Sequence, residues 1–565
     1  MKLAIYILFL FLIIGYSIPV NGQTDDSDCI QSTSQIDLDV NNVRARLLGG
    51  GDMWWDLSDG RYIVPQITPS SQEVSAIFAA AIWMGGYDAA GNLKLAAQTY
   101  RQQGNDFWSG PISQDGTTEQ STCQNWDRHW KINIGDVFDH IVDYADNGQV
   151  DDEIPNSIKG WPGKGNPYFQ EVNGFELPFR EFAPFKDING DGIYDPQDGD
   201  YPGIKGDQSI WWMYNDIGNI HTVSGGDQIG LEVSVLAYAF NSTDPPSLDN
   251  TTFYEYTINN KATVPLFDYY IGIFADVDLG CWNNDYVGCD IDRQMGYVYN
   301  GEATDPDCQG VNGYGNDVPI LGIQMLQTPT DENGDPSPFS SFVAYNNNFG
   351  SAPPATTNPD GAEEYYNYLK GVWKDGSPIQ YGGDGYQEGT ATVTHMFPSN
   401  PQNTSPDAWS ECSANNDPDD RRFVMAVGPA QLQPGEVKHL TFSVVWVPDV
   451  PHPCPNFGAL QDAADEIRDF YEQELVSVQV PTHPTAKINL MPNPMTNQAL
   501  LRVESDDKIR SIELYSASGL LLRTYDNVDN NATQIIERGT LPTGVYFYTV
   551  NFDNGFMKSG KIIMQ

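Results

Sequence analysis

Short apolar runs alternate with polar residues along most of this chain and are separated by Gly, Pro, Asn and Asp, a pattern that predicts a mainly β protein. Leu231, Val233 and Val235 alternate with Glu232 and Ser234, Phe253 to Ile258 answers after a Pro-rich turn, and Tyr269 to Phe274 makes a third run. Arg422 to Val427 and Leu440 to Val447 resume the pattern on either side of the turn Pro434-Gly435-Glu436. Together these pieces predict a discontinuous β-sandwich within residues 225–476, interrupted by a loop-rich, aromatic insertion at 275–420. Residues 23–224 read as a separate β-rich region, in which Ala79 to Met84 is broken by Gly85-Gly86 before Leu93 to Ala97 begins. The tandem pairs Trp54-Trp55 and Trp211-Trp212 are expected to pack in cores, because neighbouring residues of a strand point to opposite faces.

Helical spacing is confined to two places. Val137, Ile141 and Tyr144 predict a short helix after Trp130. Over 457–475, Leu460, Ala464, Ile467 and Tyr471 fall on one face with Asp462, Asp465, Asp469 and Glu472 opposite, which predicts a helix that docks on the sandwich. A Pro-containing stretch, 477–487, reads as a linker. Beyond it, residues 488–565 form a small β module. Pro492 and Pro494 impose a turn before the strand Ala499 to Val503, and Ile512 and Leu514 point away from Glu513 and Tyr515. Leu541 to Val550 then runs through Asn554-Gly555 into Phe556 to Met564. No internal repeat is present.

The strings PNP (Pro492, Asn493, Pro494), SIELYSASGLLL, LPTGVYFYTV (with Gly544 and Tyr546) and KSGKIIMQ (with Lys558, Gly560 and Lys561) occur in order in this module. Together they resemble the type A C-terminal sorting domain of the type IX secretion system. The resemblance implies an Ig-like β-sandwich, handling by the type IX machinery, and delivery through the periplasm to the outer-membrane surface or the medium.

The opposite end is consistent with export. Lys2, the apolar run Leu3 to Ile14, and Val20-Asn21-Gly22 predict a signal peptide over 1–22, cleaved before Gln23. The apolar run is shorter than the roughly 20 residues of a spanning helix, and no cysteine stands at the cleavage point for lipid attachment. No later segment is apolar enough to make a transmembrane helix in the mature chain.

At 565 residues and 40% hydrophobic composition, the chain can form several packed cores. Its 76 acidic against 29 basic residues leave a net charge of -47, which repels nucleic acid and anionic membrane and suits cations, although solubility alone also accounts for it. The seven cysteines form no CxxC, and in an oxidising compartment they predict disulfides plus one odd thiol. Cys281 with Cys289 is the expected pair, since only a short loop would close between them.

The strongest chemical motif is DINGDGIYDPQD. Asp187, Asn189 and Asp191 stand at positions one, three and five, Gly192 at six, the Ile193 carbonyl at seven, and Asp195 and Asp198 at nine and twelve. Hard oxygen ligands at that spacing suit Ca²⁺. With Asp in the twelfth place and no entering helix, the segment resembles a dockerin-like or thrombospondin-type calcium loop more than an EF-hand; a metal-free Asx-rich turn is the alternative. A second acidic set, Asp276, Asp278, Asp285 and Asp290, fits no template and reads equally as a second metal site or an acidic turn. Asp331, Asn333 and Asp335 lack later ligands and read as a turn.

Catalytic motifs are scarce. The seven histidines form no HExxH, and no GxSxG elbow occurs. The segments WMGGYD, DFWSGPI and GDYPGIKGDQSIWWMYND resemble a group of large extracellular proteins that carry this same sorting domain, which brings no activity with it. The leading expectation is a calcium-stabilised, non-enzymatic binding protein, an adhesin or a matrix or glycan capture protein. A secreted polysaccharide-degrading hydrolase or peptidase with its site in the aromatic insertion, and a passive structural surface protein, are the alternatives.

Overall fold

The computed structural model describes residues 28–67, 72–242, 245–331, 333–347, 352–387, 389, 391–448, 450–475, 487–504, 509–516, 520–526, 533–552 and 557–565. The expected signal peptide, nearly all of the linker, Ser518 and Gly519 of the string SIELYSASGLLL, and the Asn554-Gly555 turn lie outside them.

Two antiparallel sheets of nine strands each make the body. The first runs in the order Gln35–Leu38, Arg44–Leu48, Asp52–Met53, Ala79–Tyr87, Leu266–Asp276, Arg421–Leu432, Phe339–Asn346, with two short strands paired at its side. The second runs Asp285–Asp290, Met295–Asn300, Ile320–Gln327, Val437–Val447, Thr251–Asn260, Leu231–Ala239, Gln208–Asn215, Trp108–Ser109, with Trp130–Asn133 also paired to Gln208–Asn215. The strands expected around Leu231, Phe253, Tyr269, Arg422 and Leu440 are all present.

The expected boundary at 224/225 is not a structural one, because each sheet takes strands from both sides of it. Nor is 275–420 an excursion from the sandwich. Asp285–Asp290, Met295–Asn300 and Ile320–Gln327 join the second sheet, and Phe339–Asn346 joins the first. Strand pairing across hundreds of residues is decided by which backbone edges remain open, which local alternation does not encode. Gly85-Gly86 likewise breaks nothing and lies within Ala79–Tyr87. A Cβ on Gly85 would come 2.4 Å from Leu95 Cδ1, and one on Gly86 2.9 Å from the Phe267 carbonyl, so these glycines permit close approach within the sheet.

The second sheet divides two cores. Ile210, Trp212, Val233, Val235 and Tyr254 join Trp83, Ile273, Phe274 and Val424 of the first sheet in one cluster. From its other face Trp211, Met213, Leu236, Tyr238 and Phe253 meet Val137 of the helix Ile134–Asn147 and Leu460, Ala464 and Ile467 of the helix Gly458–Phe470. Both helices stand where the 3.6-residue spacing placed them. A separate cluster including Leu501, Ile512, Leu514, Tyr548, Val550 and Ile562 fills the C-terminal module. That module has a three-stranded sheet and a four-stranded one, beginning at Lys487–Met491, ahead of the expected first strand. Among the described residues no helix is long and apolar enough to cross a membrane.

A candidate binding groove and a buried acidic cluster

Strand register builds the acidic cluster. Asp276 ends Leu266–Asp276 opposite Arg422, so the antiparallel pairing, carried two residues further, brings Asp278 to Asp420. One carboxylate oxygen from each of Asp276, Asp278 and Asp420 lies within 4.8 Å of the others. Arg422 donates to Asp420 Oδ1 at 2.6 Å and to Asp276 Oδ2 at 3.1 Å, and the Tyr100 hydroxyl also donates to Asp276 Oδ2. Asn347 donates to the other Asp420 oxygen at 2.8 Å. Asp276 Oδ1 is buried without a donor.

Asp285, wholly buried, stands behind the cluster, where its Oδ2 accepts from the Leu279 amide at 3.2 Å and its Oδ1 has no donor. Burial pushes Asp276 up to about 6, with Arg422 opposing and Asp420 adding to the shift. Burial, and after it the neighbouring carboxylates, raise Asp278 and Asp285 well above the ordinary range. Asp290 is not part of this group, because it pairs with Arg293 at 3.0 Å and accepts from Gln461 at 2.7 Å. The hairpin strand from Asp285 to Asp290 rises by roughly 3.3 Å per residue and carries Asp290 away.

That rise also separates Cys281 from Cys289. The expected bridge between them is absent; Cys281 is joined to Cys308, Cys29 to Cys123 and Cys412 to Cys454, leaving Cys289 as the buried free thiol among the described residues. The turn that presents Cys308 is held by Asp305, whose carboxylate accepts from the amides of Cys281 at 3.2 Å and Tyr314 at 2.6 Å.

Asp278 reaches the wall of a groove of about 750 Å³ lined also by Arg44, Arg61, Glu73, Phe78, Trp282 and Asn312. Arg44 is ion-paired to Glu73, and Arg61 to Asp56 at 2.6 Å and Asp59 at 3.4 Å. Trp282 is half-buried and borders the groove from the turn closed by the Cys281–Cys308 bridge. These residues come from distant parts of the chain, so no contiguous motif announces them.

In the loop 187–198 the expected ligands adopt different roles. Asn189 Nδ2 lies 3.0 Å from Asp191 Oδ2 and 3.2 Å from Asp198 Oδ2, which brings the third, fifth and twelfth positions together. Asp187 accepts from the amides of Gly190 at 2.6 Å and Gly192 at 2.7 Å. Both glycines have a φ of 78°, a left-handed conformation that the turn requires. Asp195 caps the 3₁₀ turn Pro196–Asp198 through the Gln197 amide, and the Ile193 amide donates to Asp191 at 2.8 Å. Sequence spacing missed Asp200, a buried carboxylate that accepts from Ile188 at 2.7 Å and Asp195 at 2.9 Å and ties the loop's ends together. Burial raises its pKa, and the charges of Asp187 and Asp191 raise it further.

The described histidines contact backbone or neighbouring side chains. His221 stands between the carbonyls of Leu95 and Asp216, both at 2.7 Å, and His140 contacts the Asp200 carbonyl at 3.0 Å. Burial lowers His129 to about 3 and lowers His140, His395, His439 and His452 as well. Burial holds the Cys289 thiol well above its usual range.

In the C-terminal module Asn493, between Pro492 and Pro494, pins the entering chain to the final strand. Its Nδ2 donates to the Lys561 carbonyl at 3.1 Å and its Oδ1 accepts from the Ile563 amide at 2.7 Å. Gly544 and Lys558 lie in the paired strands Gly544–Phe552 and Met557–Met564. Tyr546 donates to the Pro542 carbonyl at 2.9 Å, and a Cβ on Gly560 would come 2.3 Å from the Tyr548 hydroxyl.

Residues 489–565 match the family described as a secretion system C-terminal sorting domain, a module that implies export to the cell surface or extracellular space. No curated protein matches the chain. Among solved structures, a polysaccharide lyase is similar at 8% identity with a TM-score of 0.18, over 59% of this chain and 34% of that one. The present chain thus spans about a third of that protein's length, and a likeness at this score carries no argument.

Proposed function

We propose that this exported chain is a calcium-stabilised, secreted or cell-surface binding protein that captures glycan in the groove bordered by Trp282. The observation that carries this reading is the groove's composition: an aromatic ring beside a polar rim in which Arg44 is paired with Glu73 and Arg61 with Asp56 and Asp59. A sugar offers apolar C–H faces and a ring of hydroxyls. An indole takes the former, and fixed guanidinium and carboxylate groups hydrogen-bond the latter. Calcium is proposed for the loop of Asp187, Asn189, Asp191 and Asp198, where bound charge would offset repulsion between exposed carboxylates.

A second reading, a glycan-cleaving hydrolase, draws on one observation. Asp278 presents a carboxyl of raised pKa to the same groove, which suits a general acid. Incubating the mature chain with a panel of glycans and matrix proteins, with calcium and with chelator, separates the two. Binding without released product, weakened at least about tenfold in Trp282→Ala, is the expected result. Product release that disappears in Asp278→Asn supports the hydrolase, and unchanged binding in Trp282→Ala overturns the groove assignment.

A further inference from the structure

We infer that Asp276, Asp278 and Asp420 hold a divalent cation of the calcium type at the groove wall, with Asp285 behind them. The site is distinct from the 187–198 loop and independent of glycan capture in the groove, but a metal-bound Asp278 carboxylate excludes the protonated general-acid role of the hydrolase reading. Oxygens that each lie about 2.3 to 2.6 Å from one Ca²⁺ are no more than about 5 Å apart. The three carboxylates meet that limit, each offering an oxygen within 4.8 Å of the other two.

Charge and hydrogen bonding point the same way. Four carboxylates, those of Asp276, Asp278, Asp285 and Asp420, gather where Arg422 is the cation ion-paired to the cluster among the described residues. Burying unmatched carboxylates is costly, and one guanidinium leaves most of that charge uncompensated. Asp276 is 2% exposed and Asp285 0%, yet Oδ1 of each is buried without a donor. On Asp276 the second oxygen already serves Tyr100 and Arg422, so Oδ1 is the atom left for a ligand. The donor set is all oxygen, which favours a hard cation over zinc or copper. A second acidic group, Asp143, Asp151 and Asp152, lacks this signature, because Asp143 accepts from the amides of Asp151 and Asp152 and so closes a turn.

The test is calcium titration by calorimetry of the calcium-stripped full chain, comparing wild type, Asp191→Ala, Asp278→Asn and the double variant. Asp191→Ala, which addresses the loop, is expected to retain one calcium-binding event that the double variant lacks, and calcium is expected to raise the Tm of Asp191→Ala but not of the double variant. Equal calcium uptake by Asp191→Ala and the double variant overturns the site, as does an Asp191→Ala protein that takes up no calcium; in the latter case the carboxylates share protons instead. If Asp278→Asn does not fold, Asp278→Glu replaces it, with at least a tenfold loss of affinity expected and unchanged affinity overturning the inference. Failure of the loop proposal is read separately, as an unchanged stoichiometry on going from wild type to Asp191→Ala.

Discussion

Trp211 and Trp212 are neighbours in one strand and bury their rings in different cores, each only 2% exposed. Trp212 packs between the two sheets, whereas Trp211 meets Trp126 and Trp130 beneath the helical layer. The second sheet has no solvated face here, which is why all eight residues of Gln208–Asn215 are buried.

Trp211→Ala and Trp212→Ala should each cost about 3 to 5 kcal/mol, the usual range for emptying a buried aromatic site. Because the two rings occupy separate cores, the double variant should be additive to within about 0.5 kcal/mol. Urea unfolding of the four proteins measures both points, and a larger coupling would mean that the cores are not energetically separate.

Acid should destabilise the protein through His129. Burial lowers its pKa from 6.5 to about 3, so between those values the unfolded chain binds more protons than the folded one. The contribution is fully present above the unfolded value and is lost as pH falls toward 3, with a slope of up to about 1.4 kcal/mol per pH unit. In urea midpoints measured from pH 7 to pH 4, His129→Gln should flatten the decline.

Cys289 should resist iodoacetamide in the native protein and react once on unfolding without reductant. Peptide mapping should recover Cys281 joined to Cys308. Closing a loop of separation 27 constrains the unfolded chain by about 3.5 kcal/mol on the chain-entropy model, so Cys281→Ser should lower stability by that order.

Calcium at 10 mM should stabilise the protein through the 187–198 loop by about 1.4 to 2.7 kcal/mol if the site binds at about 0.1 to 1 mM. Asp191→Ala should lose that increment. Thermal melts with calcium and with chelator decide it; equal shifts in wild type and variant would remove the loop as a stabilising site.

Truncation before Lys487 should leave a folded protein that accumulates in the periplasm, because the sorting module carries its own apolar core. Fractionation and protease accessibility of whole cells check this, and surface display of the truncated chain would contradict the export assignment.

The strands around Leu231, Phe253, Tyr269, Arg422 and Leu440, two of the helices and the sorting module were legible in the sequence because their signals are local, whereas the four sheet strands and the helix Ala362–Leu369 within 275–420 were not. A period of two, a period of 3.6, and the ordered strings around Pro492, Gly544 and Gly560 are each contained in a few neighbouring residues. Tertiary structure alone decided that both sheets span the whole body and that Cys281 meets Cys308. It also decided that the register of Asp276 with Arg422 brings Asp278 to Asp420 and excludes Asp290. These relationships depend on which distant edges pair and in what register, and that choice is made by burial over the whole sheet, a quantity no short stretch of sequence contains.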